Sequence, residues 1–189
     1  MRSETIRIYY SPFDSGEETS HQLLQRALAR HLADVPERVP EGAEPELIKG
    51  PHGKPSFAAC PDVRFSVSHS GGYWACAFAE EEVGLDLQKT AVRRWEDVAK
   101  RFFHPAEQRW LEGRAAEDFT LIWAYKESYI KYTGEGLSRG LESFRTVAED
   151  GSRITGADGV WQQQIPFPAE GYRMVLTARQ IMTIQIENL

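Results

Sequence analysis

The sequence predicts an α+β protein of two lobes, each a helix packed on a small antiparallel sheet. Three observations predict it. Periodicities along the chain run strand, helix, several strands, helices, several strands, which segregates the element types instead of alternating them. The 189 residues, 41% of them hydrophobic, suffice for one large domain or two small lobes with a real core. The stretch 90–115, where a boundary falls, lacks the composition of a flexible linker, so the lobes are expected to pack closely. We divide the chain into an N-terminal lobe, 1–100, and a C-terminal lobe, 101–189, as one compact unit.

The elements follow in order. Ile6-Arg-Ile-Tyr-Tyr10 reads as a short strand. Leu23, Leu24, Ala27, Leu28 and Leu32 recur at helical spacing and predict a helix over 17–33, with Arg26 and Arg30 between them. Residues 34–45 carry three prolines and several acids and predict a loop. Strands are expected over 46–49, 64–69, 73–79 and 83–88, with Ser70-Gly-Gly72 turning a hairpin between two of them. Residues 93–103 and 105–112 read as helices, and Pro105 suits a first helical turn. A further helix spans about 118–133 and ends in a loop marked by Gly134, Gly136 and Gly140. Strands return over 144–148, 160–164, 173–178 and 181–186.

Composition excludes some functions. A formal net charge of −6 argues against a general nucleic-acid binder, while leaving room for a local basic pocket. No apolar run approaches membrane-spanning length, and Met1-Arg-Ser-Glu4 opens no signal peptide, so no membrane association is expected. Cys60 and Cys76 form no C-x-x-C pattern and suggest reduced thiols in a cytoplasmic protein.

The most informative stretch is Trp123-Ala-Tyr-Lys-Glu-Ser-Tyr-Ile-Lys131. Phe119, Ile122, Trp123 and Ile130 share one helical face, and Lys126 falls in its middle, with Glu127 and Lys131 one turn apart on its edge. A cation within an apolar stripe is costly unless it meets an anion or a ligand, so this helix is expected to face a site. Glu127 and Lys131 also suit an ordinary surface pair.

Three other segments hold candidate chemistry. In Val83-Gly-Leu-Asp-Leu-Gln88, Val83, Leu85 and Leu87 point one way and Gly84, Asp86 and Gln88 the other. Asp86 and Gln88 on one face can offer oxygens to a hard cation such as Mg²⁺, or be an exposed polar face; Gly84 lets a ligand approach the backbone. Phe65-Ser-Val-Ser-His-Ser-Gly-Gly72 supplies hydroxyls, an imidazole and glycine N–H groups that can cradle a phosphate, or simply a solvated hairpin. Ser68 and His69 are adjacent on a strand and point to opposite faces, which argues against a nucleophile and its base. His52-Gly-Lys-Pro-Ser-Phe57 holds Lys54 in a rigid loop that lacks P-loop spacing.

Together these segments resemble the 4'-phosphopantetheinyl transferase superfamily in its longer, two-lobed form. The family's G-K-P loop, F-[SN]-[ILV]-S-H-[ST] strand end, [VI]-G-[IL]-D strand and W-x-x-K-E-[AS]-x-x-K helix appear in order as Gly53-Lys-Pro55, Phe65-Ser-Val-Ser-His-Ser70, Val83-Gly-Leu-Asp86 and Trp123-Ala-Tyr-Lys-Glu-Ser-Tyr-Ile-Lys131. Arg101-Phe-Phe-His-Pro-Ala-Glu107 is similar to its F-[FHS]-x-x-E segment, and Gly136-Leu-Ser138 to its loop after the helix. The match covers about 46–140. The resemblance implies two similar lobes related by a pseudo-twofold axis, with coenzyme A between them. It implies Mg²⁺-dependent (or Mn²⁺-dependent) transfer of the phosphopantetheine arm to a serine of an apo carrier protein, releasing adenosine 3',5'-bisphosphate. By the same resemblance Asp86, Gln88 and Glu127 are metal ligands, and Glu127 or a metal-bound water is the general base. Lys131 contacts the phosphates and Lys126 lies beside Glu127 and the pyrophosphate or attacking serine. Ser68, His69 and Lys54 hold the nucleotide, His69 near its 3'-phosphate.

Two departures stand out. Many relatives carry glutamate where this chain has Gln88, and relatives often hold the 3'-phosphate with basic residues before the first helix, for which Arg26 and Arg30 are the nearest candidates here. A non-catalytic binder of coenzyme A or a carrier, and a Mg²⁺-dependent phosphohydrolase, are the alternatives. A monomer is expected, because single-lobed relatives assemble to build their sites between subunits. Fatty-acid, polyketide and nonribosomal-peptide carriers all remain open as the partner.

Overall fold

A computed structural model describes residues 5–34, 46–50, 52–58, 60–90 and 93–189. The loop expected over 34–45 thus lies almost wholly outside the described residues. The elements are β1 (Thr5–Pro12), α1 (Ser20–Asp34), β2 (Leu47–Lys49), β3 (Pro55–Phe57), β4 (Arg64–Ser70), β5 (Tyr73–Ala79), β6 (Val83–Lys89), α2 (Trp95–Phe102), α3 (Pro105–Leu111), α4 (Ala116–Thr133), β7 (Trp161–Ile165), β8 (Tyr172–Ala178) and β9 (Thr183–Asn188). Among the described residues no helix is long and apolar enough to cross a membrane.

The class is α+β, as expected. One sheet has the order β4-β5-β1-β9 and a second β6-β8-β7, with β2 and β3 a separate pair. The expectation of purely antiparallel sheets needs correcting, because β9 runs parallel to β1, Ile8 beside Ile186. The sheets also cross the division at residue 100. Strand β6 pairs with β8 in the second sheet, and β9 returns to the first.

Alternation explains the layering. On β5, Ala75, Ala77 and Ala79 face inward with Ile6 and Ile8 of β1. They meet Val83, Leu85, Leu87, Met174 and Leu176 of the second sheet. The opposite face, with Tyr9, Trp74, Cys76 and Phe78, packs on Leu23, Leu24, Ala27 and Leu28 of α1. Helix α4 covers the outer face of the second sheet through Ala124 and Tyr125 against Val175. The order of layers is therefore helix, sheet, sheet, helix.

Strands β4 and β6, each at the edge of its own sheet, are stitched together by side chains. The hydroxyls of Ser66, Ser68 and Ser70 accept the backbone N–H groups of Leu85, Leu87 and Lys89 at 2.9, 3.0 and 3.0 Å. The constant spacing means the two edges run in the same direction. An edge strand leaves alternate N–H groups unpaired, and here hydroxyls stand in for the carbonyls of a missing strand.

Local signals set the helix starts. At α1, Thr19 Oγ1 accepts from Gln22 N while the Gln22 side chain accepts from Thr19 N. At α3, His104 Nδ1 accepts from Ala106 N, and Glu107 Oε2 accepts from His104 N. Gly134, at φ 72°, closes α4. The strand expected over 144–148 does not form. A short 3-10 turn, Leu141–Ser143, is followed by a single bridge between Val147 and Ile154. Phe144 O and Thr146 N of this stretch bond a buried ion pair, while Thr146 O and Ala148 N pair with 153–156.

Candidate active site between strand β6 and helix α4

Gly84 sets the distance between β6 and α4. A Cβ at this position would lie 2.0 Å from the Ser128 carbonyl oxygen and 2.5 Å from Tyr132 N. The missing side chain, expected to admit a ligand, admits the helix backbone. Ser128 is fixed in turn, accepting from Thr177 Oγ1 and donating to the Tyr125 carbonyl.

This contact brings Asp86 to the helix. Asp86 is 1% exposed, and its Oδ1 accepts from Lys131 Nζ at 2.7 Å and from the Ser68 hydroxyl at 2.9 Å. Its Oδ2 accepts from Gln88 Nε2 at 3.1 Å. Gln88 therefore turns its amide N–H to Asp86 and its oxygen toward Ser70, an arrangement that steadies the carboxylate and differs from the expected oxygen ligand.

Glu127 and Lys131 line a cleft of about 280 Å³ with Lys54, Pro55, Phe65 and Gly136. Burial pushes the Glu127 carboxyl above the usual range, the nearby Asp86 carboxylate adds to the rise, and Lys131 pulls part of it back. Glu127 lines the cleft and Asp86 is buried close by, and two neighbouring acids suit a hard cation. No group of three His, Cys, Asp or Glu stands together among the described residues. A cation here would have Asp86 and Glu127 as its acidic ligands, with the remaining oxygens from water or substrate phosphate, as Mg²⁺ prefers.

Lys126 is elsewhere, which corrects its expected place beside the pyrophosphate. Its Nζ lies 2.7 Å from Glu107 Oε2, both side chains fully buried, and 2.7 Å from each of the Leu141 and Phe144 carbonyl oxygens. Three acceptors match the three N–H bonds of a charged ammonium. Burial lowers the Lys126 value from that of an ordinary lysine, and Glu107 offsets part of the fall. Glu107 Oε1 also accepts from Thr146 N and Oγ1. The anion that a cation in an apolar stripe requires is thus Glu107.

The remaining predicted residues divide. Lys54 lines the cleft with its stem, but its ammonium is held by Glu82 at 2.6 Å and by the Tyr132 and Val83 carbonyls. Ser68 is buried at the seam of the sheets, whereas His69 is exposed on the opposite face of β4 against the Phe13 ring. The expected phosphate cradle at Gly71-Gly72 is closed, because Gly72 N donates to Tyr172 Oη and its oxygen accepts from Phe13 N. Trp123 packs on Phe103 and Phe119, as the sequence indicates. Glu107 as the partner of Lys126, and Ser66 and Ser70 as links between strands, are not among the sequence-based expectations. The capping spacing of His104-Pro-Ala-Glu107 and the every-second-residue hydroxyls of β4 were the available signals.

The 4'-phosphopantetheinyl transferase superfamily model matches residues 82–177, just over half of the chain, from β6 to the end of β8. The chain belongs to the 4'-phosphopantetheinyl transferase superfamily. It is 40% identical over 97 residues to the 4'-phosphopantetheinyl transferase Sfp of Bacillus subtilis (strain 168), covering 49% of this chain and 43% of that protein. A second Bacillus subtilis transferase is 37% identical over 108 residues, covering 55% and 48%. The transferase AcpT of Salmonella typhimurium is 34% identical over 127 residues, covering 64% and 62%. The chain spans about half the length of the Bacillus relatives it matches. The superfamily match contains Asp86, Gln88, Lys126, Glu127 and Lys131, while Lys54, Ser68 and His69 precede it.

Proposed function

We propose that the chain transfers the 4'-phosphopantetheine arm of coenzyme A to a serine hydroxyl of an apo acyl or peptidyl carrier protein, with Mg²⁺ and with release of adenosine 3',5'-bisphosphate. The observation that carries this reading is the meeting of Asp86 from β6 with Glu127 and Lys131 from α4 beside one cleft. The Bacillus and Salmonella relatives bear the name of that transferase.

In this reading Asp86 and Glu127 hold the metal, and Mg²⁺ or Mn²⁺ neutralises pyrophosphate charge when bound. Gln88 keeps Asp86 oriented and adds no charge of its own. The carrier serine oxygen forms a bond to the β-phosphorus as the bond to the bridging oxygen breaks. Adenosine 3',5'-bisphosphate leaves, and the serine proton passes to Glu127 or to a water. Lys131 faces the phosphates and steadies the leaving group. The stem of Lys54 borders the nucleotide, and His69 stands on the side of the 3'-phosphate. Lys126 acts through the fold alone.

We also infer a working monomer, because β6 and α4 of one chain supply both sides of the site. The two free, buried cysteines accord with a cytoplasmic setting.

The test is incubation with labelled coenzyme A and apo carriers from fatty-acid, polyketide and nonribosomal-peptide systems, with Mg²⁺ and with chelator. Label on at least one carrier, lost with chelator, is expected. Coenzyme A binding with no labelled carrier would instead mark a non-catalytic binder, and phosphate release from simple esters a phosphohydrolase.

A further inference from the structure

A hydroxyl has one proton to give and two lone pairs to fill. Ser68 uses all three. It donates to Asp86 Oδ1 at 2.9 Å and accepts from Leu87 N and Lys131 Nζ, each at 3.0 Å. It is 4% exposed. No valence is left for a nucleotide, although the strand-end motif implied that role. Ser66 accepts from Leu85 N in the same way one rung along, and no hydrogen bond links it to Asp86 or Lys131.

We propose that Ser68 is a positioning residue: anchored to the second sheet through Leu87 N–H, it fixes Asp86 and Lys131 relative to each other across the seam of the two sheets. Two groups from β6 and one from α4 converge on the one oxygen of this β4 residue. The rotamer of Asp86 is then set by the packing of the sheets, and motion of β4 against β6 would disturb Asp86 and Lys131 together. Hydrogen bonds of this kind to ligating carboxylates typically govern metal affinity by about 10- to 100-fold. The proposal rests on the transferase reading for the identity of the metal and substrate, and on the geometry alone for the coupling.

The experiment is Mn²⁺ titration of the full chain followed by electron paramagnetic resonance, with and without coenzyme A, beside thermal melting. Ser68→Ala is expected to weaken Mn²⁺ binding about 10-fold or more, and Ser68→Thr, which keeps the hydroxyl, to restore most of it. Ser66→Ala loses the equivalent rung and is expected to lower the melting temperature similarly with Mn²⁺ affinity unchanged. The preference for coenzyme A over its 3'-dephospho form is expected to survive Ser68→Ala. Should that variant fail to fold, Ser68→Cys keeps the shape and weakens the bonds, and the same loss of Mn²⁺ affinity is expected. Mn²⁺ affinity within twofold of wild type in the Ser68 variants, an equal loss in Ser66→Ala, a lost 3'-phosphate preference, or a wild-type chain that binds no Mn²⁺ would each overturn the proposal. A chain that modifies no carrier, yet binds Mn²⁺ and loses it on Ser68→Ala, upholds the positioning role and removes the transferase reading.

Discussion

Lys126 Nζ lies 2.7 Å from Glu107 Oε2 with both side chains fully buried, while Lys131 Nζ, on the same helix, lies 2.7 Å from Asp86 Oδ1 at the cleft. Five residues along an α-helix turn the side chain by roughly 140°. The two lysines of one motif therefore serve different faces: Lys126 secures α4 to α3 and to the 141–146 stretch, and Lys131 pairs with Asp86 and lines the cleft.

Removing Lys126 alone is expected to be severe. Lys126→Met leaves Glu107 charged and unpaired, a loss of about 3–5 kcal/mol. Adding Glu107→Gln keeps an acceptor for Thr146 N and removes the charge, so the double variant is expected to recover about 1–3 kcal/mol of that loss. Denaturant unfolding of both variants checks the coupling. The double variant is also expected to retain measurable carrier transfer, whereas a catalytic Lys126 would leave it inactive.

Gly84→Ala is expected to push α4 from β6. Its Cβ would collide with main-chain atoms of Ser128 and Tyr132, which cannot swing aside as a flexible side chain can. Overpacking of this kind costs about 1–3 kcal/mol. Because Asp86 and Glu127 stand on the two separated elements, transfer is expected to fall further than stability predicts. Rates measured well below the melting temperature separate the two effects.

Glu127 links function to pH. Its value is raised in the folded chain, so the stability it contributes is complete below the unfolded carboxylate value and is lost as pH rises through the folded one. Metal-free Glu127→Gln is therefore expected to melt above wild type at neutral pH. The difference should shrink toward zero as pH falls below the usual carboxylate range, and Mg²⁺ should narrow it at neutral pH by stabilising only the wild type. Melting curves across pH, with and without Mg²⁺, check this.

His69 is exposed, so His69→Ala is expected to leave the melting temperature nearly unchanged. It should raise KM for coenzyme A several-fold with little effect for the 3'-dephospho form. Steady-state kinetics with the two substrates read the difference.

Elements with a single periodicity were legible in the chain: β5 and the alternation of β6 match their expected registers, and Gly134 ends α4 where the sequence indicates. The unpredicted parts depend on groups distant in sequence. The 144–148 stretch has strand-forming residues, but Phe144 O turns to Lys126 and Thr146 N to Glu107, so its pairing with 153–156 stops at one bridge. The apolar stripe marks Lys126 as needing an anion or a ligand. Local spacing could not distinguish a protein anion from a substrate one, because Glu107 is on another helix. The resemblance names Asp86 and Glu127 as a pair, and the structure brings β6 and α4 together, whereas the three-serine stitch between edge strands depends on β4 and β6 meeting across two sheets.

Asp86, Glu127 and Lys131 are proposed as the site of arm transfer from coenzyme A to a carrier. Intact-mass measurement of an apo carrier after incubation with coenzyme A, Mg²⁺ and either wild type or Glu127→Gln tests it most directly. The added mass of one phosphopantetheine arm is expected with wild type, and an unmodified carrier with the folded variant. Full modification by Glu127→Gln, or no modification of any carrier by wild type, would contradict it.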